Sequence, residues 1–178
     1  PEYIEYHDKQ WGRPVHDSRE LFAKLCLDGQ QAGLSWITIL KRTESYHRAY
    51  ADFDPVRIAQ FDEQDLERLM QDTGIIRNRL KVQSIIKNAR AYLALEAEGV
   101  DFVDYLWGFV GGAPIVNQRQ GNGDIPATSA ESDAMSKALK KRGFTFVGST
   151  ICYAFMQAVG MVNDHLVTCP CHAECQQG

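Results

Sequence analysis

No run of about 18 apolar residues occurs in this 178-residue chain, so no stretch reads as a membrane-spanning helix. The start shows no signal-peptide pattern either. Cysteine is sparse, and the five present are an odd number, which does not make a disulfide framework. Cys26 and Cys152 lie inside apolar helical stretches and read as buried thiols. That usage fits a reducing cytoplasm, the expected location. A strong excess of one charge is missing too. The net charge of −4 argues against a protein that coats nucleic acid, but not against one that touches a short stretch through a local basic patch. Alternating apolar and polar residues, the mark of strands, are absent, as is any internal repeat. What is left is an all-α chain with enough residues for one substantial core, or for two small lobes sharing one.

The helices are punctuated clearly. Asp17-Ser-Arg-Glu20 has capping-box form and starts a helix through Leu27, with Leu21, Phe22, Leu25 and Cys26 inward. Gln30 to Leu40 reads as a second, nearly all-apolar helix, and Thr43 as the cap of a third. Asp54-Pro55 places proline at a first helical position, and Asp62 or Glu63 opens the next helix. Arg79 to Glu96 is the longest, with Val82, Ile85, Ile86, Ala89, Tyr92 and Leu93 on the helical period and Gly99 as its stop. Phe102 to Val110 is short and ends at Gly111-Gly112. Residues 113–127 have glycines, prolines and no period, so they form a loop or lobe connector. Thr128 and Glu131 have the form of a second capping box.

Ser136 to His165 then reads as helix, tight turn, helix. Gly143 ends the first helix as a C′ glycine, and Ser149 is placed to cap the second. Ile151, Ala154, Phe155 and Ala158 form its core-facing stripe. Gly148 at the turn lets backbone N–H groups point at an anion, with Lys137, Lys140, Lys141 and Arg142 just upstream. Two readings are open for this segment: packed helices with a solvated basic face, or a helix-hairpin-helix that grips a DNA backbone without reading sequence.

Three clusters could carry chemistry. Tyr3, Tyr6, His7 and Trp11 lie near the start of the chain. Asp28 and Trp36 flank a glycine-containing segment; the carboxylate either caps a helix at Gln30 or lines a cavity, because an acid among apolar helices is costly unless paired. Trp36 taken alone is more often core than a ligand platform. The third cluster is His165, Cys169, Cys171, His172 and Cys175, where His and Cys four apart could share a zinc ion with further thiols in reach.

The stretches YIEYHDKQWG, GQQAGLSWITIL, GIIRNRLKVQSIIKNARAYL and KALKKRGFTFVGSTICYAFMQAVGMVNDH together resemble bacterial 3-methyladenine DNA glycosylase I across essentially the whole chain. The resemblance implies an all-α, two-lobe helix-hairpin-helix glycosylase fold with the damaged base flipped into a cleft. By position, Tyr6 and Asp28 stand where the family has its base-recognition tyrosine and glutamate, so Asp28 is also the implied catalytic carboxylate. Trp36 stands where a tryptophan stacks on the base, and Leu34 where a residue wedges into the duplex. Lys140, Lys141 and Gly148 fall in the DNA-gripping element. His7, His165 and Cys169 match three of four structural zinc ligands. The family's fourth lies upstream of residue 1, with Cys171 or Cys175 as substitutes here.

The chain departs from the family at Asp28, one methylene shorter than glutamate. The wider superfamily has a catalytic aspartate in a V-D-x-H pattern, whereas this chain reads Val162-Asn163-Asp164-His165. Methylation at N3 already makes the base a cationic leaving group, so flipping, stacking and electrostatic matching could supply most of the barrier reduction. No lysine stands out as a Schiff-base nucleophile, so no lyase step is expected. The sequence thus implies a monomeric base-excision enzyme that acts on double-stranded DNA containing alkylated purines, releases free 3-methyladenine and uses no membrane. The alternatives are a non-catalytic helix-hairpin-helix DNA-binding or scaffold protein, and a relative acting on another modified purine.

Overall fold

The computed structural model of the chain describes Ile4, Tyr6, residues 14–116 and residues 126–163. Its helices follow the sequence as α1 (Ser18–Gln30), α2 (Trp36–Leu40), α3 (Thr43–Ala49), α4 (Pro55–Ile58), α5 (Glu63–Met70), α6 (Arg79–Ala97), α7 (Phe102–Trp107), α8 (Ala130–Lys141) and α9 (Ser149–Ala158). The expected all-α class holds, with one small addition. Ile115–Val116 (β1) pairs in parallel with Val162–Asn163 (β2), in the register Ile115 to Val162. Two residues per strand are too few to show a period of two, so alternation could not have announced them.

Helix α1 runs through the middle of the molecule. It packs against α6, α7 and α9, and Leu21, Phe22, Leu25 and Cys26 on it are buried. Asp17 starts it, the carboxylate accepting from the Glu20 amide at 3.0 Å. The helix goes one turn further than its apolar pattern suggested, to Gln30, and the expected helix from Gln30 to Leu40 is cut back to Trp36–Leu40. The cause is buried and polar. The Lys81 ammonium, arriving from the first turn of α6, donates to the carbonyl of Gln30 at 2.8 Å and of Ala32 at 2.5 Å. The last carbonyls of a helix have no partner within it, and here a cation supplies one. The Gln30 amide nitrogen donates to Lys81 O and Ser84 Oγ, while its oxygen accepts from the Tyr46 hydroxyl at 3.0 Å. That hydroxyl in turn accepts from the Ile76 amide.

The caps elsewhere differ from expectation by small, explicable shifts. Asn78, not a residue of the helix itself, caps α6 through the Lys81 amide. At α8 the reciprocal box joins Ser129 and Ser132 in place of Thr128 and Glu131. Thr43 sits inside α3 and turns its hydroxyl back to the Ile39 carbonyl, so Arg42 takes the cap position without a side-chain bond. Arg142 ends α8, and Gly143 behind it has φ +95°, the left-handed conformation that suits glycine.

Helices α8 and α9 lie against each other, and α9 also packs on α1. The buried face of α9 is Cys152, Tyr153, Phe155, Met156 and Ala158. The expected stripe is therefore rotated: Ile151 and Ala154 are half-buried, and Ala154 faces a cavity instead of the core. The chain on either side of these helices is tied down from the other end of the sequence. The Val15 amide donates to the Val159 carbonyl at 2.9 Å, and the Trp107 indole donates to the Val15 carbonyl at 2.8 Å.

Candidate active site

The site grows from one face of α1. Lys24 and Asp28 are one turn apart and meet at 3.4 Å, Nζ to Oδ1. Asp28 is buried, at 3% exposed, and the Lys24 side chain beside it is mostly covered. Asp28 lies within α1 and caps nothing, so of its two readings the cavity-lining one is correct. Its second oxygen, Oδ2, is buried and has no hydrogen-bond partner among the described residues.

Trp36 reaches the same place from the other side of the turn at 31–35. Gly33 turns the chain there with φ +80°, a conformation costly for any residue with a Cβ. The chain then re-enters a helix at Trp36, whose indole lies 5.4 Å from the Tyr6 ring, centroid to centroid, at 42°. Tyr6 is buried. Trp36 Nε1 is also buried without a partner among the described residues. A cavity of about 140 Å³ is bordered by Tyr6, Asp28, Gln31, Trp36, Ala154, Gln157 and Ala158. A larger one of about 590 Å³ lies beside it and shares Tyr6 and Ala158. Both buried polar atoms without a partner among the described residues belong to residues on the wall of the smaller cavity.

Lys24 is the residue that sequence reasoning missed. Its ammonium is 3.3 Å from the centroid of the Trp36 ring and 4.9 Å from that of Tyr6. Burial lowers its pKa to about 8, against the opposing pull of the Asp28 carboxylate. Burial likewise raises Asp28 to about 6, with the Lys24 ammonium acting the other way. Desolvation outweighs attraction in both, as is usual for a pair taken out of water. The signal was the four-residue spacing of Lys24, inside the largely apolar stretch Leu21 to Leu27, and Asp28 directly after it.

On the opposite flank, residues 142–148 join α8 to α9. Asn88 of α6 clamps this turn by holding both backbone groups of Thr145, accepting from its amide at 2.8 Å and donating to its carbonyl at 3.2 Å. Gly148 precedes α9 as its N-cap. Ser149 is the first residue of the helix and does not cap it; its hydroxyl donates to the Asp133 carboxylate at 2.5 Å, tying α9 to α8. A Cβ placed on Gly148 would meet no atom within 4 Å, so its outer side is open. Lys140 and Lys141 are exposed nearby at the end of α8, and Leu34 is 38% exposed in the turn before Trp36. Gly29, next to Asp28, lies under the same turn: a Cβ there would come 3.1 Å from Phe146. The α8–α9 turn and the cavity are thus in direct contact through α1.

The structure therefore brings together Tyr6, Asp28 and Trp36, and adds Lys24. His7, His165, Cys169, Cys171 and Cys175 lie outside the described residues, as do Tyr3 and Trp11.

Comparison with known proteins gives a consistent result. A family described as methyladenine glycosylase matches residues 1–172. The chain is 58% identical over 172 residues to DNA-3-methyladenine glycosylase 1 of Escherichia coli (strain K12), covering 97% of this chain and 92% of that protein. A crystal structure of 3-methyladenine DNA glycosylase I superposes with a TM-score of 0.95 at 58% identity, over 97% of this chain and 94% of that one. A structure of 3-methyladenine DNA glycosylase I from Staphylococcus aureus, described as showing the basis of 3-methyladenine recognition, superposes with a TM-score of 0.93 at 40% identity, over 96% and 90%.

The buried pair makes stability depend on pH in a definite way. Asp28 titrates near 6 folded and 3.8 unfolded, so between these values the native state holds more protons and stability falls as pH rises. Lys24 titrates near 8 folded and 10.5 unfolded, so between those values the unfolded state holds more protons and stability rises with pH. The pair therefore contributes least between about pH 6 and 8. The neutral double variant Lys24→Met/Asp28→Asn should be as stable as the wild type at pH 7 or more so, by up to about 4 kcal/mol. Its advantage should shrink toward pH 4 and toward pH 10.5. Urea denaturation across this range measures it, and a pH-independent difference would contradict the buried ion pair.

Proposed function

Because this chain belongs to the methyladenine glycosylase family, we propose that it removes 3-methyladenine from alkylated DNA by hydrolysing the N-glycosidic bond, leaving an abasic site. The observation that carries this is the meeting of Tyr6, Asp28 and Trp36 on one small cavity in which a carboxylate oxygen has no protein partner. A cationic purine fits that combination. Its positive charge suits an aromatic face and a carboxylate at once, and an unmodified adenine, lacking that charge, gains less. A module that only bound DNA would need the hairpin and its lysines, but not a buried acid beside two aromatic faces. The bond being broken is already weak, since the leaving base is cationic. Holding the flipped base and stabilising its charge lowers the barrier further. Asp28 has the charge and place for that role.

In this reading Lys140, Lys141 and the open backbone at Gly148 hold the phosphate backbone, and Leu34 enters the space the flipped base leaves. Helix α9 spaces the two tasks. Gly148 stands at its start and Gln157 on the cavity wall, roughly 13 Å apart at about 1.5 Å per residue. We take the protein to act as a monomer in the bacterial cytoplasm; among the described residues no helix is long and apolar enough to cross a membrane.

A structural zinc belongs to the same reading, with His7, His165 and Cys169 as ligands and a fourth upstream of residue 1, or Cys171 or Cys175. The described neighbours support it. Tyr6 borders the cavity wall formed by Ala158, and β2 ends at Asn163, two residues before His165. Such a zinc would tie the two ends of the chain together and take no part in bond cleavage.

Three measurements test the function. On methylated duplex DNA, with the released base identified, the wild type should release 3-methyladenine. Asp28→Glu should speed release and tighten free-base binding by extending the carboxylate about one methylene. Asp28→Asn should weaken both by about 1.5–3 kcal/mol, the worth of a hydrogen bond to a charged group. A neutral result for both variants would remove Asp28 from recognition. Gly148→Val has an ordinary φ of −59° and open space for its side chain, so the fold should survive. Binding to damaged and undamaged duplex should weaken alike, with free-base affinity unchanged and a salt dependence reflecting only a few phosphates. Loss confined to one DNA sequence would contradict backbone gripping. Elemental analysis of protein carrying its native upstream residues should find about one zinc per chain, and a metal-free protein of full stability would end the zinc proposal.

A further inference from the structure

The face of Trp36 that looks toward Tyr6 is already taken. The Lys24 ammonium lies 3.3 Å from the Trp36 centroid and 4.9 Å from the Tyr6 centroid, and it pairs with Asp28 at 3.4 Å. Stacked aromatic atoms approach to roughly 3.5–4 Å, so a base on that face would need the space Lys24 now fills. The two interactions that recognise a cationic purine, an aromatic face and a carboxylate, are being made by an internal cation.

We propose that Lys24 is the resident occupant of the base site, and that a cationic base binds by exchange, taking over the Trp36 face and the Asp28 carboxylate as Lys24 withdraws. This rests on the functional reading above and names a residue that sets affinity for that same substrate. The walls show where the lysine goes. Lys24 borders the larger cavity and Asp28 the smaller, so the lysine side chain stands between them. The larger cavity also carries the carboxylate residues Glu20 and Asp52. Rotation of a flexible four-carbon stem moves the ammonium from one carboxylate toward two others.

The exchange is cation for cation. While Lys24 is charged, one positive partner replaces another at the carboxylate and the indole, which matters where an unpaired buried charge is costly. A ligand whose binding site is open only part of the time loses apparent affinity in proportion to the closed fraction. Lys24 therefore sets how tightly the base is held without touching it once bound.

The groups facing Lys24 are Asp28 on its own helix and Tyr6; Arg19, Glu20, His47 and Asp52 line the cavity behind it. Its own proton is the one lost in the alkaline range, near pH 8. Above that pH the neutral amine loses its hold on Trp36 and Asp28, while the N3-methylated adenine in DNA keeps its charge.

The experiment measures kcat/KM for 3-methyladenine release from methylated duplex DNA between pH 6 and 9.5, for the wild type, Lys24→Met and Lys24→Arg. The wild type should rise as the pH passes about 8. Lys24→Met keeps the stem and removes the charge, so at pH 7 it should exceed the wild type by about tenfold and show no rise. Lys24→Arg stays charged and stacks well on an indole, so it should fall at or below the wild-type value at pH 7 and remain flat. The arginine variant and the wild-type profile stand even if the methionine variant folds poorly. Release by the wild type with no gain in Lys24→Met, or an alkaline rise persisting in either variant, would overturn the exchange alone. Absence of 3-methyladenine release by the wild type would instead overturn the function and the exchange with it.

Discussion

The end of α1 is the constraint on which the rest depends. A helix that stops inside a protein leaves carbonyls with no partner in the helix and no water to serve as one. Here Lys81 donates to Gln30 and Ala32, and the Gln30 side chain joins Lys81, Ser84 and Tyr46 in one network. All these groups are buried or nearly so, and a buried polar network holds one geometry only when every member is satisfied. That geometry sets the direction of the turn at 31–35. It places Trp36 across from Lys24 and Asp28, although seven residues of chain lie between Trp36 and the carboxylate residue. An apolar helix end could slide against its neighbours by a fraction of a turn; this one is held at a defined residue.

From that anchor the cavity and the α8–α9 turn become parts of one body. Gly29 allows α1 to pass against Phe146 at a distance a larger residue could not accept without movement. Asn88 fixes the preceding residue of the turn, Thr145, through both of its backbone groups. The small cavity and the open N-terminus of α9 are therefore registered to each other by short, rigid contacts. For an enzyme that must hold a DNA backbone while one base sits in a pocket, such registration is worth more than affinity at either place, because misplacement by about 1 Å lowers a rate steeply.

The electrostatics follow from burial. Lys24 and Asp28 are both displaced toward neutrality by loss of water, which outweighs their mutual attraction. A pair in that condition is held by geometry, and a second cation can compete for it on nearly equal terms. The same low-polarity surroundings that make the pair costly make the contact between a cationic purine, a carboxylate and an indole strong.

The sequence alone determined the class and most of the elements. The period of Val82, Ile85, Ile86 and Ala89 located α6, Gly143 and Gly99 marked helix ends, and Asp17 and Asp54 marked starts, because each acts through neighbours a few residues away. Tyr6, Asp28 and Trp36 were legible as a set through their likeness to a known family, and the cavity joins them. Helix-breaking at 31–35 was not read from the sequence, although Gly33 lies there, because the residue that fixes the end of α1 is Lys81, distant in sequence. The cap of α9 was misread for the same reason: Ser149 finds Asp133 across the hairpin and leaves its own helix end. Lys24 shows the limit most clearly. Its spacing to Asp28 is written in the chain, but a lysine beside an aspartate on a helix is ordinarily a solvated pair. Only the arrival of Trp36 and Tyr6 over it, from segments on either side of α1, removes the water and turns the pair into the centre of the site.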